Sequence, residues 1–267
     1  MCSVYGIKRE SYYSWKRRGR SQRSYDDEIL YEVILEIYKS SGKAYGSPKI
    51  TQAMRAKGYR IAKKRVARIM RENGLKSRRS TIYRARPGLM NFIAAVPNRE
   101  LKVLADEVNK VWVGDITYLK VSGEWRYLAV VMDKYSRRIV GWSLHDKRNA
   151  KLTWDAFKQA LRNRTPSKGL IFHTDRGIEY RAFEFSDKLA KREFVQSMNR
   201  PRRMNDNAHI ESFFANFKAE RIHRKPEFVC EKTLRGVITE YIGFYNNRRL
   251  HSSIGYLPPE EYERKMG

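Results

Sequence analysis

Hydrophobic residues recur at helical spacing in the first third of the chain. Ile29, Leu30, Val33, Ile34, Ile37 and Tyr38 predict a helix over 26–39, with Asp26, Asp27 and Glu28 suited to its first turn. Ser47 fits an N-cap with Pro48 at the first helical position, so a second helix runs to about Ala56 and stops at Gly58. A third covers Ala62 to Glu72, with Ala62, Val66, Ile69 and Met70 inward and Asn73-Gly74 as its stop. A short helix over Lys8–Arg17 is compatible with the pattern, but no apolar stripe accompanies it. Residues 77–108 have weak periodicity and carry the breakers Arg86-Pro87-Gly88 and Val96-Pro97-Asn98.

From residue 110 the period changes. Three strand-like runs follow, 111–119, 125–133 and 138–145, with Ser122-Gly123 as a hairpin turn between the first two. A helix (150–162), a strand (169–175), a helix (182–191) and a strand (193–198) come next. Three antiparallel strands and then alternating helix and strand is the order of a ribonuclease-H-like mixed α/β sheet. The last third is helical. Ile210, Phe213, Phe214 and Phe217 share a face within 206–222, capped by Asn205 or Asp206. Leu234, Val237, Ile238, Tyr241, Ile242 and Tyr245 share another within 231–247. The expected organisation is a basic arm (1–24), a helical DNA-binding domain (25–76), a linker (77–108), a catalytic core (109–222), and a C-terminal helix and basic tail completing the core (223–267).

Charge narrows the partner. The 267 residues carry 56 Lys+Arg against 29 Asp+Glu, a formal net charge of +27, which points to a polyanion. Residues 55–86 hold thirteen Lys/Arg against one Glu. Three short helices with such a surplus resemble a helix-turn-helix unit, in which Lys63, Lys64, Arg65, Arg68 and Arg71 are DNA-contact candidates. Cys2 and Cys230 do not form a disulfide framework, and the five histidines do not pair with them at zinc-site spacing. No apolar run reaches membrane-spanning length and no signal peptide opens the chain. The expectation is a soluble, reduced, intracellular protein without membrane association.

Candidate chemistry lies in the acids. Asp115 sits in the strand-like run Val111–Leu119, where an unpaired charge costs several kcal/mol unless it is liganded or paired. Asp175 closes the apolar run Leu170–Thr174 at a strand end, where open α/β sheets bind ligands. Glu211 flanks the apolar stripe of a helix, and Lys218, seven residues on, shares nearly the same face. Three carboxylates on two strands and a helix can converge on two hard cations, Mg²⁺ with Mn²⁺ as an alternative. Such a pair stabilises both attacking and leaving oxygens of a phosphodiester displacement. Asp133 reads as turn chemistry, Asp206 as a cap, and Glu124 and Glu179 as surface charges. His173 and His209, near the acids in sequence, read as ordinary hydrogen-bonding residues. Gly-rich phosphate loops and a nucleophilic serine or tyrosine with a nearby base do not stand out, although 17 tyrosines leave a tyrosine recombinase open on counting alone.

Three blocks resemble the signatures of integrase-core transposases: Trp112-x-x-Asp115-Ile116-Thr117-Tyr118, His173-Thr174-Asp175-Arg176-Gly177, and Asp206-Asn207-Ala208-x-x-Glu211-Ser212-Phe213-Phe214. The resemblance narrows to the second-frame (OrfB-type) product of two-frame bacterial insertion sequences. It extends to Phe244-Tyr245-Asn246-x-Arg248-Arg249-Leu250-His251 and to Tyr45-Gly46-x-x-x-Ile50 with Lys64-Arg65-Val66. It implies a triad of Asp115, Asp175 and Glu211 holding two Mg²⁺, and strand cleavage and joining at insertion-sequence ends without a covalent protein–DNA intermediate. It also implies a multimeric complex on DNA, and a bacterial cytoplasmic, nucleoid-associated location. Lys218, Arg202, Arg203, Arg248 and Arg249 join the DNA-contact candidates. The loop Asn199–Arg203 is more basic than the family's usual stretch, and Gly114 precedes the first Asp. The chain opens on a basic arm and shows no heptad run; the resemblance implies an upstream-frame (OrfA-type) helix-turn-helix protein, or a fusion to it, as a further partner. Two other classes share these features: a ribonuclease-H-like nuclease or resolvase without strand transfer, and a DNA-binding regulator without catalysis.

Overall fold

The computed structural model describes residues 6–17, 21–77, 96–200, 204–223 and 228–266. The chain divides into two compact units, Met1–Ser77 and Arg78–Gly267.

The first unit is helical: α1 (Arg9–Arg17), α2 (Gln22–Ser40), α3 (Ser47–Ala56) and α4 (Lys63–Glu72). α1 buries none of its side chains. Ile34, Ile37 and Tyr38 of α2 meet Ile50 and Met54 of α3 and Val66, Ile69 and Met70 of α4 in the core. Ile29, grouped with this stripe by sequence, is 66% exposed. It stands five residues before Ile34, about 140° around a helix, and so faces away. Ala62 is likewise exposed, because it is the extended residue that precedes α4 rather than part of its buried face. Gly46, not Ser47, caps α3, with Pro48 in the first turn. Gly58 (φ 90°) and Gly74 (φ 65°) adopt the left-handed backbone that ends α3 and α4. Asp27 ties α2 to α4 through Arg65, whose Nε donates at 2.7 Å, and through Arg68.

The second unit is built on a five-stranded mixed sheet of order β3-β2-β1-β4-β5. Its strands are β1 (Val111–Val121), β2 (Glu124–Asp133), β3 (Ile139–His145), β4 (Ile171–Thr174) and β5 (Val195–Met198). β1–β3 are antiparallel and β4 and β5 parallel to β1, the ribonuclease-H-like arrangement expected. Ser122 (φ 47°) and Gly123 (φ 81°) both have positive φ, as the tight β1–β2 hairpin requires.

Alternation along the strands makes two cores. Val113, Leu119, Leu128 and Val130 face α8 (Ala208–Phe217) and α9 (Glu231–Asn247) through Phe213, Phe217, Leu234 and Tyr241. Trp112, Ala129 and Val131 face α5 (Ala150–Asn163) through Leu152, Ala156 and Phe157. α5 lies so close that a Cβ on Gly141 of β3 would stand 2.3 Å from the Ala156 carbonyl oxygen. The Asn149 side chain caps α5 by accepting from Leu152 N at 3.0 Å. Between β4 and β5 the chain forms α6 (Ile178–Arg181) and α7 (Phe183–Ala190), where periodicity predicted one helix. α8 opens from a 3₁₀ turn, Met204–Asn207, and passes into a π-helical turn, Lys218–Ile222. α10 (Pro259–Met266) closes the described chain. Among the described residues no helix is long and apolar enough to cross a membrane.

Candidate active site

The parallel register of β1 and β4 runs from Val111↔Ile171 to Gly114↔Thr174. Asp115 and Asp175 are each the next residue, so Asp175 leaves the end of β4 beside Asp115, which lies in the middle of β1 where its pairing with β4 stops. Adjacent strands lie about 4.8 Å apart. Gly114 is required for this approach. A Cβ there would meet the Phe172 ring at 2.5 Å. The glycine before Asp115 therefore has a packing cause. Asp115 Oδ1 accepts from Ile116 N at 2.8 Å, and Asp175 Oδ1 accepts from Gly177 N at 3.0 Å. The second bond turns the chain at once, which is why β4 stops at Thr174 although the apolar run continues to the acid.

α8 is anchored beside Asp115. The buried Asn207 side chain donates to the Gly114 carbonyl at 3.1 Å. Glu211 follows four residues later, about one turn on and on the same helix face. The three acids feel one another. Asp115 is pushed up to about 8, by desolvation first, then by the charges of Asp175 and Glu211, against the Ile116 hydrogen bond. Asp175 is raised by burial, against the Gly177 hydrogen bond and Arg148. Glu211 is raised by desolvation and by Asp175. Among the described residues no three His, Cys, Asp or Glu side chains are gathered tightly enough to hold a metal ion as they stand. The donor set nonetheless suits a hard divalent cation. It is all carboxylate oxygen, and it carries more negative charge than neighbouring groups offset.

Two further residues escaped the sequence reading. Glu179 reads as a surface charge, yet it is 3% exposed. It pairs with Arg148, whose Nε lies 2.6 Å from its Oε1. Arg148, in the turn after β3, is the cation whose charge holds Asp115 and Asp175 down. The only sequence trace of Glu179 was its place four residues after Asp175. Arg148 left none. Asp206 is not a helix cap. Its carboxylate accepts from Arg200 Nη2 at 2.9 Å and from Asn98 Nδ2 at 2.9 Å, and the Arg200 hydrogen bond holds it well below the usual carboxylate range. His173 is buried inside the sheet, bonded to Ser197 Oγ at 2.9 Å and Asn199 Oδ1 at 2.7 Å, and burial pushes it down to about 4. His209 is also pushed down to about 4 by desolvation.

Comparison with known proteins decides the family. The description "Integrase core domain" matches residues 105–204 and again 193–259, and "HTH-like domain" matches 24–83. The Escherichia coli K12 transposase InsF for insertion sequence IS3A is 36% identical over 99% of this chain and 93% of its own length. The chain belongs to the integrase-core transposases of insertion sequences. This transposase is therefore an enzyme that cleaves and joins DNA, and its first unit carries an HTH-like DNA-binding domain. It is also similar to the uncharacterized 31 kDa protein of insertion element IS600 from Shigella sonnei, 32% identical over 99% of this chain and 98% of that one. Among solved structures, the HTLV-2 integrase catalytic core domain in complex with magnesium is 19% identical, with a TM-score of 0.46 over 59% of this chain and 97% of that chain.

The basic residues of the transposase separate into distinct environments. Lys63, Lys64, Arg71 and Arg248 are exposed. Arg65 and Arg68 are half-buried and engaged by Asp27. Lys218 is half-buried, its Nζ 4.6 Å from the Tyr118 ring centroid. Arg202 and Arg203 lie outside the described residues. Arg249 is not available to DNA. It is 5% exposed and pairs at 2.9 Å with Glu220, which also accepts from the Tyr241 hydroxyl at 2.9 Å.

Proposed function

We propose that Asp115, Asp175 and Glu211 are the catalytic carboxylates, and that they hold two divalent cations, Mg²⁺ with Mn²⁺ as an alternative, while the transposase cuts and joins strands at the ends of its element. One observation carries this reading: acids from the middle of β1, the end of β4 and α8 converge, so that burial raises all three, Asp175 and Glu211 raise Asp115, and Asp175 raises Glu211, with Arg148 as the cation offsetting the two aspartates. Such a cluster is stable when it is protonated or when bound cations neutralise it. Bound there, two cations supply nucleophile activation and leaving-oxygen stabilisation for in-line displacement at phosphorus.

The chain's own residues prepare the site. The Ile116 and Gly177 amides each fix one oxygen of an aspartate, so the carboxylates are oriented before DNA arrives. Arg148 and Glu179 hold the turn that follows Asp175. Lys218 supplies an ammonium for phosphate within range of Asp115's charge. Within residues 25–76, the exposed Lys63, Lys64 and Arg71 grip the DNA backbone; residues 77–108 serve as linker and 109–267 as catalytic core and its completing tail. The active form is a homo-oligomer on DNA in the bacterial cytoplasm, at the nucleoid, with an upstream-frame helix-turn-helix protein or fusion as the further partner.

The test compares Asp115→Asn, Asp175→Asn and Glu211→Gln in gel-shift and strand-transfer assays with and without Mg²⁺. Each variant binds DNA like wild type and loses joining by at least about a thousandfold, on the order of 4 kcal/mol. Joining retained in any one of them removes that residue from the triad.

A further inference from the structure

Tyr118 and Trp125 are large aromatic side chains left in solvent next to the acidic site. They are 58% and 48% exposed. Register explains why they meet. Lys120 is the partner of Trp125 across the β1–β2 pair, and Tyr118 lies one step along, on the diagonal from Trp125. The rings sit edge to face, with centroids 5.1 Å apart. Each carries an ammonium: Lys218 Nζ is 4.6 Å from the Tyr118 centroid, and Lys120 Nζ is 5.6 Å from that of Trp125. The intervening Leu119 and Val121 are buried, so the strand is held rigidly beneath the rings.

We propose that Tyr118, Trp125, Lys120 and Lys218 form a stacking platform for an unpaired base of the DNA strand beside the catalytic carboxylates. Aromatic faces with adjoining cations suit a nucleotide, whose base stacks while its phosphate meets the ammonium groups. The platform is placed for this. Tyr118 is three residues beyond Asp115 on one strand, about 10 Å at the ordinary rise and on the opposite face, where, among the described residues, β1 has no β4 partner and its edge is open. Lys218 spans the interval, lying over Tyr118 while feeling the charge of Asp115. In this role the platform holds an unpaired strand end between cleavage and joining. The inference rests on the catalytic reading of Asp115 only for its location.

The experiment uses the full chain without metal, so that catalysis plays no part. Two labelled probes are titrated: a blunt mixed-sequence duplex, and the same duplex with a short single-stranded 3′ extension containing 2-aminopurine. The wild type quenches the 2-aminopurine on binding. Tyr118→Ala and Trp125→Ala each weaken the extended probe about tenfold, the low end of what one stacked base contributes, and leave the blunt duplex within about twofold. Tyr118→Phe keeps the quench. Tyr118→Leu, which retains bulk without a π face, loses it, and this pair decides the matter if the alanine variants melt early. Equal weakening on both probes, an unchanged quench, or a changed sedimentation coefficient without DNA overturns the proposal; the last makes the patch a protein interface. Joining by Asp115→Asn is scored separately, so a failed platform and a failed triad give different results.

Discussion

Arg148 donates from Nε to Glu179 Oε1 at 2.6 Å, and the two differ sharply in exposure: the Glu179 side chain is 2% exposed and that of Arg148 47%. The pair borders Asp115 and Asp175, and Gly177 between Asp175 and Glu179 has no room for a Cβ, which would lie 2.6 Å from Glu179 Oε2. Removing Arg148 strands a buried carboxylate beside other carboxylates. Arg148→Met is expected to cost about 1–3 kcal/mol of stability, as a buried acceptor left without its donor does. Glu179→Gln added to it recovers part of the loss, measured by denaturant unfolding without metal. Independent, additive effects in the double variant would show that the two side chains do not act as a pair.

The elevation of Asp115 sets a pH dependence. Its folded pKa of about 8 exceeds the ordinary 3.8, so the folded chain binds more protons than the unfolded one. Stability tied to this group is present at low pH and is lost as pH rises from about 4 to about 8. Asp115→Asn removes that loss. Relative to wild type, the variant gains about 1–3 kcal/mol between pH 5 and pH 8 in metal-free melting, a discounted figure given about 1.4 kcal/mol per pKa unit. Mg²⁺ at pH 8 stabilises wild type more than the variant. A pH-independent difference between the two proteins would mean that Asp115 ionises freely.

Gly114 tests whether the strand register positions the acids. Its missing Cβ leaves space for the Phe172 ring and the Thr174 methyl, which would otherwise lie at 2.5 Å and 3.4 Å. Gly114→Ala is expected to cost about 1–3 kcal/mol through overpacking. It should also lower joining far more than DNA binding, because β4 moves away from β1 at the point where Asp175 emerges. Phe172→Leu in the same chain relieves the clash and restores part of the activity. Strand-transfer rates of the single and double variants measure this.

Much of this was legible in the sequence. The period change near residue 110, the Ser122-Gly123 hairpin, and the Phe213 and Tyr241 faces all translate local chemistry into structure. What sequence reading missed depends on partners distant in the chain. Glu179 looks like a surface charge until Arg148, 31 residues earlier, folds over it. Arg249 stands in a basic tail, but the π-helical turn carries Glu220 to meet it, 29 residues away. Asp206 has a helix-cap spacing, yet three hydrogen bonds from Arg200 and one from Asn98 compete better than the helix amides do. Ile29 shares the apolar spacing of the α2 stripe but not its angular position, and so lies in solvent.

Arg249 therefore belongs to the fold. Its guanidinium and the Glu220 carboxylate are each 6% exposed, and Tyr241 completes the cluster between the π-helical turn and α9. Arg249→Met is expected to destabilise the chain by about 3–5 kcal/mol. Arg248→Ala, at an exposed position, should change stability by no more than about 0.5 kcal/mol. Urea midpoints separate the two. Equal small effects would return Arg249 to the DNA-facing set.

The same distinction predicts which charges of the helical unit reach DNA. Arg65 and Arg68 are held by Asp27, and Arg68 also pairs with Glu72 at 2.9 Å. Lys63, Lys64 and Arg71 are exposed on or beside the same helix. Every phosphate that a variant leaves unneutralised flattens the slope of log K against log salt by about 0.9. Lys63→Ala, Lys64→Ala and Arg71→Ala should therefore each reduce the slope by up to about one unit while leaving thermal stability nearly unchanged. Arg68→Ala should lower the melting temperature, because α4 loses its tie to α2, and should change the slope less. Salt titrations and melting curves on the four variants decide it. If Arg68→Ala flattens the slope as much as the lysine variants do, then Asp27 releases that guanidinium when DNA binds.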